Sequence, residues 1–297
     1  MKLGYIGMGT MGLPMAANLI AAVHDVTVYN RTAARADELV EQGAVRAESP
    51  TELAATVDVT MLCLATPAVC EEMLLGPDGV IAARPEGTLL IDFSSNGPDT
   101  AERCDEAAAA GGVGYLDAPV SGGTGGADNG TLASMVGGRE EDFARAGPPL
   151  DIMGGAVQHM GKVGTGSVAK IANQIIMGTS LAVLAEAFVM AAKYGLDMRQ
   201  LLDVLMASSS GSKAMESNIG GKILRRDFEP DFSVDPLSKD LGLAMSLARQ
   251  TGVPAATGSM ADMLLREAQS LGHGSRDIAS AVKVLEELAG TRVQSHG

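Results

Sequence analysis

Between residues 1 and 161, short apolar runs rich in β-branched residues alternate with stretches of helical periodicity. "KLGYI", "DVTVY", "VDVTMLCLA" and "TLLIDFS" read as strands, and "GYLDAPV", "LASMVGG" and "AVQHMG" continue the series. Runs that are apolar nearly throughout, with helices between them, predict a parallel sheet covered on both faces: a doubly wound α/β domain. One intervening helix marks its start in "SPTEL", with Ser49 as N-cap, Pro50 at the first helical position and Glu52 completing a capping box.

Beyond Gly161 the strand-like runs stop and helical patterns cover 167–194, 197–207, 238–251, 255–271 and 278–289. The chain therefore divides into an α/β domain over residues 1–161 and an all-α domain over 162–297, joined by a long helix. Inside that helix, "IIMGTSLAVLAEAFVMAA" is long enough to raise the question of a membrane span. Glu186 in its middle and the polar Thr179–Ser180 pair predict a buried core helix instead, with no membrane as partner.

Composition narrows the function classes. With 46% hydrophobic and 20% charged residues among 297, the chain fits a soluble globular protein. A net charge of −14 argues against nucleic acid or anionic lipid as a partner. The opening "MKLGYIGMG" enters a strand at once and leaves no room for a signal peptide, so a cytoplasmic location is expected. Cys63, Cys70 and Cys104 are too few and scattered for a disulfide framework, and Cys63 is expected to be buried packing. His24, His159, His273 and His296 lack ligand spacing, so no metal is expected.

Chemistry enters with "YIGMGTMGLPMAANL". Gly7, Gly9 and Gly12, with Met8, Thr10 and Met11 between them, form a G-x-G-x-x-G from strand to helix. Such a turn brings bare backbone to a pyrophosphate at a helix N-terminus, and a second strand follows within the required span. The second strand runs into Asn30, Arg31 and Thr32. An acid that would accept from the ribose of NAD is absent there, whereas the Arg31 guanidinium suits a phosphate. NADP is the expected cofactor and NAD stays open, as does an ordinary exposed arginine opening a helix. Two further loops, Leu64-Ala65-Thr66-Pro67 and "DFSSNGP", follow sheet strands and should flank the cofactor. Ser94 and Ser95 can serve there as hydroxyl donors or as helix caps.

The segment "LDAPVSGGTGGADNGTLASMVGG" is dense in glycine for a connection between strands. Ser121, Gly122 and Gly123 can offer a hydroxyl and open N–H groups to a small carboxylate, or form a plain surface turn. The long helix then carries Lys170, with Asn173 and Gln174 three and four residues on along the same face. An ammonium in so apolar a helix must snorkel, find an acid or line a cavity. Sixteen residues of helix, about 24 Å, argue against pairing with Glu186; another acid would be a structural partner. In a cavity, Lys170 would give a proton to an alkoxide as hydride arrives.

In these segments the chain resembles the β-hydroxyacid dehydrogenase family, which includes 3-hydroxyisobutyrate dehydrogenases, tartronate semialdehyde reductases and glyoxylate/succinic semialdehyde reductases. Four signatures carry the resemblance in order: "GMGTMGLPMAANL", "DAPVSGGTGGADNGTLASMVGG", "GTGSVAKIANQ" and "FSVDPLSKDLGLA". The resemblance implies a Rossmann-type N-terminal domain and a helical C-terminal domain joined by the long helix, with the site in the cleft. It implies Lys170 as the catalytic residue, Ser121, Gly122, Gly123, Asn173 and Gln174 around a carboxylate-bearing substrate, and Ser95, Phe232 and Lys239 at the cofactor. It further implies a homodimer or homotetramer built through the helical domains. Many members have a second asparagine at the position of Gln174; the Asn–Gln pair is similar to the tartronate semialdehyde reductase branch. Many NAD-using members have aspartate where Asn30 stands.

Three rivals differ in what they require. An imine reductase of the same superfamily would keep the fold and cofactor but usually not the lysine. A phosphogluconate dehydrogenase would need a longer chain and a sugar-phosphate cluster. A non-catalytic dinucleotide-binding protein would need neither Lys170 nor the glycine loop.

Overall fold

The computed structural model describes residues 1–22 and 25–295, so His24 and His296 lie outside the described residues. By internal packing the chain forms two compact units, Met1–Lys170 and Ile171–Gly297. The division falls inside a single helix.

The first unit comprises β1 (Leu3–Ile6), α1 (Gly12–Ala22), β2 (Val26–Tyr29), α2 (Asp37–Glu41), β3 (Val45–Arg46), α3 (Pro50–Thr56), β4 (Val59–Leu62), α4 (Pro67–Leu75), α5 (Val80–Ala83), β5 (Leu89–Asp92), α6 (Pro98–Ala110), β6 (Gly114–Asp117), β7 (Val120–Ser121), α7 (Gly123–Asp128), β8 (Leu132–Gly138), α8 (Glu140–Met153) and β9 (Gly154–Gly161). They build a nine-stranded sheet in the order β3-β2-β1-β4-β5-β6-β8-β7, with β9 also on β8. The strands from β3 to β6 are parallel, while β8 runs antiparallel to β6 and β7. The order reverses between β1 and β4, which places a switch point at their carboxyl ends.

Alternation along each strand feeds two cores. Tyr5, Met61 and Ile91 pack on one face with Met15 and Leu19 of α1 and Leu150 of α8. Ile6, Leu62 and Leu90 pack on the other with Leu53 of α3, Leu74 of α4 and Cys104 of α6. Every residue of β1, β4, β5 and β6 is buried, which explains their apolar runs. Each enclosed leucine or methionine contributes roughly 1.5–3 kcal/mol.

The structure departs from the sequence reading at several points. β3 was not foreseen: its two residues are exposed and too short to show a period. The predicted "GYLDAPV" strand breaks after Asp117 into β6 and β7, on either side of Ala118 and Pro119. Cys63 is half-buried against the core rather than enclosed. At α3, Ser49 Oγ accepts from Glu52 N at 3.0 Å, but Glu52 Oε2 accepts from Glu48 N at 2.8 Å, one residue before the cap.

The long helix α9 (Thr165–Tyr194) runs across the boundary into the second unit, followed by α10 (Met198–Met206), a π-helical stretch (Met215–Ile223), α11 (Val234–Thr251), α12 (Ala256–Ser270) and α13 (Val282–Ala289). Leu184 and Phe188 of α9 pack with Leu202 and Ile219, and Leu181 packs with Leu237, Leu241 and Leu265. The expectation of a buried core helix is corrected here. Only 28% of the most apolar stretch of α9 is buried. Ile176, Val183 and Met190 recur at seven-residue spacing, 66%, 56% and 67% exposed, with Tyr194 beyond them. One face of α9 is core and the other is an apolar row.

Asp92 closes β5 inside the first unit and is 1% exposed. Its Oδ1 accepts from Ser94 N at 2.9 Å, and its Oδ2 from Asn96 Nδ2 at 2.9 Å and Tyr115 Oη at 3.3 Å. Burial pushes its pKa up to about 6; the Ser94 and Tyr115 hydrogen bonds oppose the rise and Asp117 adds to it. The native state thus holds this proton more tightly than the unfolded chain, so its stabilisation is complete below about pH 4 and lost by about pH 6. Asp92→Asn removes the titration, and Asn96, whose Oδ1 is buried without a partner, could turn its amide to accept from the new one. Chemical denaturation across this window should show wild type losing up to about 3 kcal/mol relative to the variant. Parallel stability curves would contradict the assignment.

Candidate active site

The glycine turn between β1 and α1 has the shape of a phosphate cradle. Gly7 has φ +100°, and a Cβ there would lie 2.5 Å from Cys63 O. A Cβ on Gly12 would lie 1.9 Å from Gly7 O, so the turn closes too tightly for any side chain. Gly9 is different: nothing stands within 4 Å of a Cβ built there. Its bare backbone faces open space at the start of a helix, as a pyrophosphate requires. Met8 is buried, and Met11 packs against the core below, so these two contribute side chains to packing. Thr10 is exposed at the rim. The residues present fit a dinucleotide.

Asn30, read as a cofactor residue, first of all holds this turn. Its Oδ1 accepts from Met8 N at 2.9 Å and its Nδ2 donates to Thr32 O at 2.8 Å. Arg31 and Thr32 follow it, both exposed. The loop after β4 is lashed to the loop after β5, because Ser94 Oγ accepts from Leu64 N at 2.8 Å. Thr66 Oγ1 caps α4 through Val69 N, with Pro67 at the first helical position, while Ala65 is exposed. The capping alternative for Ser94 and Ser95 does not hold, since α6 is capped at Gly97 without a side-chain bond. Ser94 is buried and structural, and Ser95 stands half-exposed at the loop. Gly7–Gly12, Asn30–Thr32, Leu64–Pro67 and Ser95 thus all follow the carboxyl ends of four adjacent strands, β2, β1, β4 and β5.

Further along the same unit, Ser121 ends β7 half-exposed. Gly122 and Gly123 follow with φ +146° and +65°, conformations that only glycine adopts without strain. A Cβ on Gly123 or Gly125 would meet nothing within 4 Å, so this backbone is open. Asn18 of α1 donates to Ala127 O at 2.6 Å and ties the glycine loop to the helix of the cradle. Lys170 is the sixth residue of α9 and 9% exposed. Glu186, on the same helix, is exposed.

In the second unit the amides after the lysine form a chain. Asn173 Nδ2 donates to Gln174 Oε1 at 2.9 Å, and Gln174 Nε2 donates to Asp240 Oδ2 at 2.6 Å. Lys239 Nζ pairs with Asp240 Oδ1 at 2.9 Å. Gln174 is therefore buried with both ends of its amide engaged, while Asn173 stays half-exposed. Phe232 is half-buried against the core containing Leu237 and Leu241.

Asp117, Asp240 and Asn18 were not singled out from the sequence. Asp240 lay inside a recognised signature next to Lys239, one of two acids there with Asp235. The contacts of Asp117 and Asn18 cross 47 or more residues and leave no local signal. No group of three or more potential metal ligands occurs among the described residues. His159 instead stacks on Phe143, with centroids 4.8 Å apart, and bonds to Gly138 O.

With this geometry in place, the relatives are informative. Residues 2–161 match the family model described as the NAD binding domain of 6-phosphogluconate dehydrogenase. Residues 164–285 match the one described as NAD-binding of NADP-dependent 3-hydroxyisobutyrate dehydrogenase. The chain is 36% identical to 2-(hydroxymethyl)glutarate dehydrogenase of Eubacterium barkeri, over 98% of this chain and 97% of that protein. It is 39% identical to 3-hydroxyisobutyrate dehydrogenase of Pseudomonas aeruginosa, over 95% and 97%. Among solved structures it is similar to Mycobacterium tuberculosis 3-hydroxyisobutyrate dehydrogenase with L-serine, at TM-score 0.88 and 34% identity, covering 96% of this chain and 98% of that one.

Proposed function

We propose a reaction on one premise: the chain belongs to the β-hydroxyacid dehydrogenase family. On that premise it is an oxidoreductase that uses a nicotinamide cofactor. The finer reading is the interconversion of a small β-hydroxy acid and its semialdehyde, of the 3-hydroxyisobutyrate or tartronate semialdehyde kind, with NADP favoured over NAD. The observation that carries it is Lys170, an ammonium only 9% exposed near the start of an apolar helix. When bound, a nicotinamide would supply hydride to the carbonyl carbon in reduction and accept it from the hydroxyl-bearing carbon in oxidation. Lys170 Nζ gives a proton to the oxygen in reduction and receives it in oxidation. The Ser121 hydroxyl and the N–H groups of Gly122 and Gly123 hold the carboxylate, and the Asn173 amide orients the substrate. Gln174, enclosed by Asn173 and Asp240, acts by fixing Asn173.

Support for NADP comes from the end of β2. Arg31 is exposed there, and Asn30 brings no negative charge that would repel a ribose phosphate. Imine reduction is the weaker reading, because it has no need of Lys170. Purified protein assayed with NADPH and NADH against tartronate, methylmalonate and succinic semialdehydes should turn over faster with NADPH. Lys170→Ala should lose about 100-fold or more in turnover and keep its NADPH affinity. Full activity in the variant, or equal loss of binding and turnover, would refute the role.

The apolar row on α9 supports a second element of this reading, a homo-oligomer assembled through the helical unit. Large exposed apolar side chains recurring along one helix face suit an interface. Sedimentation of wild type should give a dimer or tetramer, and Val183→Lys with Met190→Lys should shift it to monomer. A monomeric wild type would sink this element.

A further inference from the structure

Helix α9 is anchored by a residue that lies outside it. Asp117, at the end of β6, is 2% exposed. Its Oδ1 accepts from Gly164 N at 2.8 Å and its Oδ2 from Ser167 N at 2.7 Å. These N–H groups belong to the opening turn of a helix, where no intrahelical acceptor exists. A cap is ordinarily the residue just before the helix; here a strand 47 residues upstream supplies it.

The approach is also too close for side chains. A Cβ on Gly166 would lie 2.3 Å from Met135 O and 2.5 Å from Asp117 O. One on Gly137 would lie 2.4 Å from Asp117 Oδ1 and 2.8 Å from Gly166 N. The first turn of α9 therefore rests on the backbones of β6 and β8. Four residues after Asp117 the chain reaches Ser121, and three residues after Ser167 it reaches Lys170. We propose that Asp117 is a positioning residue for Lys170, holding the lysine's helix in fixed register with the strand that leads into the Ser121–Gly123 loop.

Charge adds to register. The positive end of a helix disfavours a cation in its first turns, and a carboxylate at that end offsets it. Burial holds the Asp117 carboxyl above the usual carboxylate range, against the opposing pull of the Ser167 and Gly164 amides. Asp92 of β5 and Tyr115 of β6 are titratable groups in its field, and the Glu102 carboxylate of α6 stands beside Gly164.

The inference rests on Lys170 being the proton donor, so the test carries Lys170→Ala beside Asp117→Asn. Asp117→Asn keeps the shape but can accept from only one of the two amides. Semialdehyde reduction should fall between about 10- and 100-fold in kcat, with NADPH affinity unchanged. The loss of activity at high pH should begin at lower pH than in wild type, because removing the anion weakens the lysine's hold on its proton. A merely structural residue would lower stability without moving that limb. Wild-type kcat and pH profile in a folded Asp117→Asn, with Lys170→Ala inactive, would overturn the inference alone. A fully active Lys170→Ala would strike the reading beneath it, whatever Asp117→Asn does. Should Asp117→Asn fail to fold, Asp117→Ser removes the anion with a smaller side chain that keeps one acceptor; it should shift the limb in the same direction, and an unmoved limb overturns the inference.

Discussion

The carboxylate of Asp117 and the two amides it receives join the sheet to the long helix. Without that junction the loop at Ser121–Gly123 and the lysine one turn into α9 would have no fixed relation. The bond is possible because Gly137 and Gly166 let backbone lie on backbone, where a single methyl group would collide with an oxygen. Position, charge and close packing thus converge on one buried side chain, and the chemistry proposed for Lys170 depends on all three.

The same economy appears along the carboxyl edge of the sheet. The glycine turn is held by Asn30, the loop after β4 by Ser94, and Ser94 N in turn bonds to Asp92. Residues that touch no ligand fix those that could. Asp92 is held in the interior at the cost of a raised pKa. Placement matters in such a site, because a misplacement of about 1 Å can cost about 100-fold in rate. Burial pushes the Cys104 thiol up to about 12, which keeps it protonated.

Much of this was legible in the sequence, for identifiable reasons. Buried parallel strands are apolar along their whole length, so β1, β4 and β5 stood out, and the glycine spacing of the cradle has a direct geometric meaning. Lys170 was conspicuous because its neighbours are apolar. What escaped was non-local or ambiguous. The contact of Asp117 with Gly164 spans 47 residues, and that of Gln174 with Asp240 spans 66. Asn30 and Ser94 were recognised as important, yet their side chains serve the turn and the neighbouring loop. The hydrophobicity of α9 looked like a core signal, yet only 28% of its most apolar stretch is buried: period and composition cannot distinguish a face turned to the protein's own core from one turned outward.

The central claim is that Lys170 handles the proton of the reacting oxygen. A structure of the protein with NADP and a small β-hydroxy acid tests it most directly. The account predicts Lys170 Nζ within about 3 Å of the substrate hydroxyl, with the carboxylate on Ser121, Gly122 and Gly123. A lysine bonded to the carboxylate instead, with its Nζ away from the hydroxyl, would make it a binding group and contradict the account.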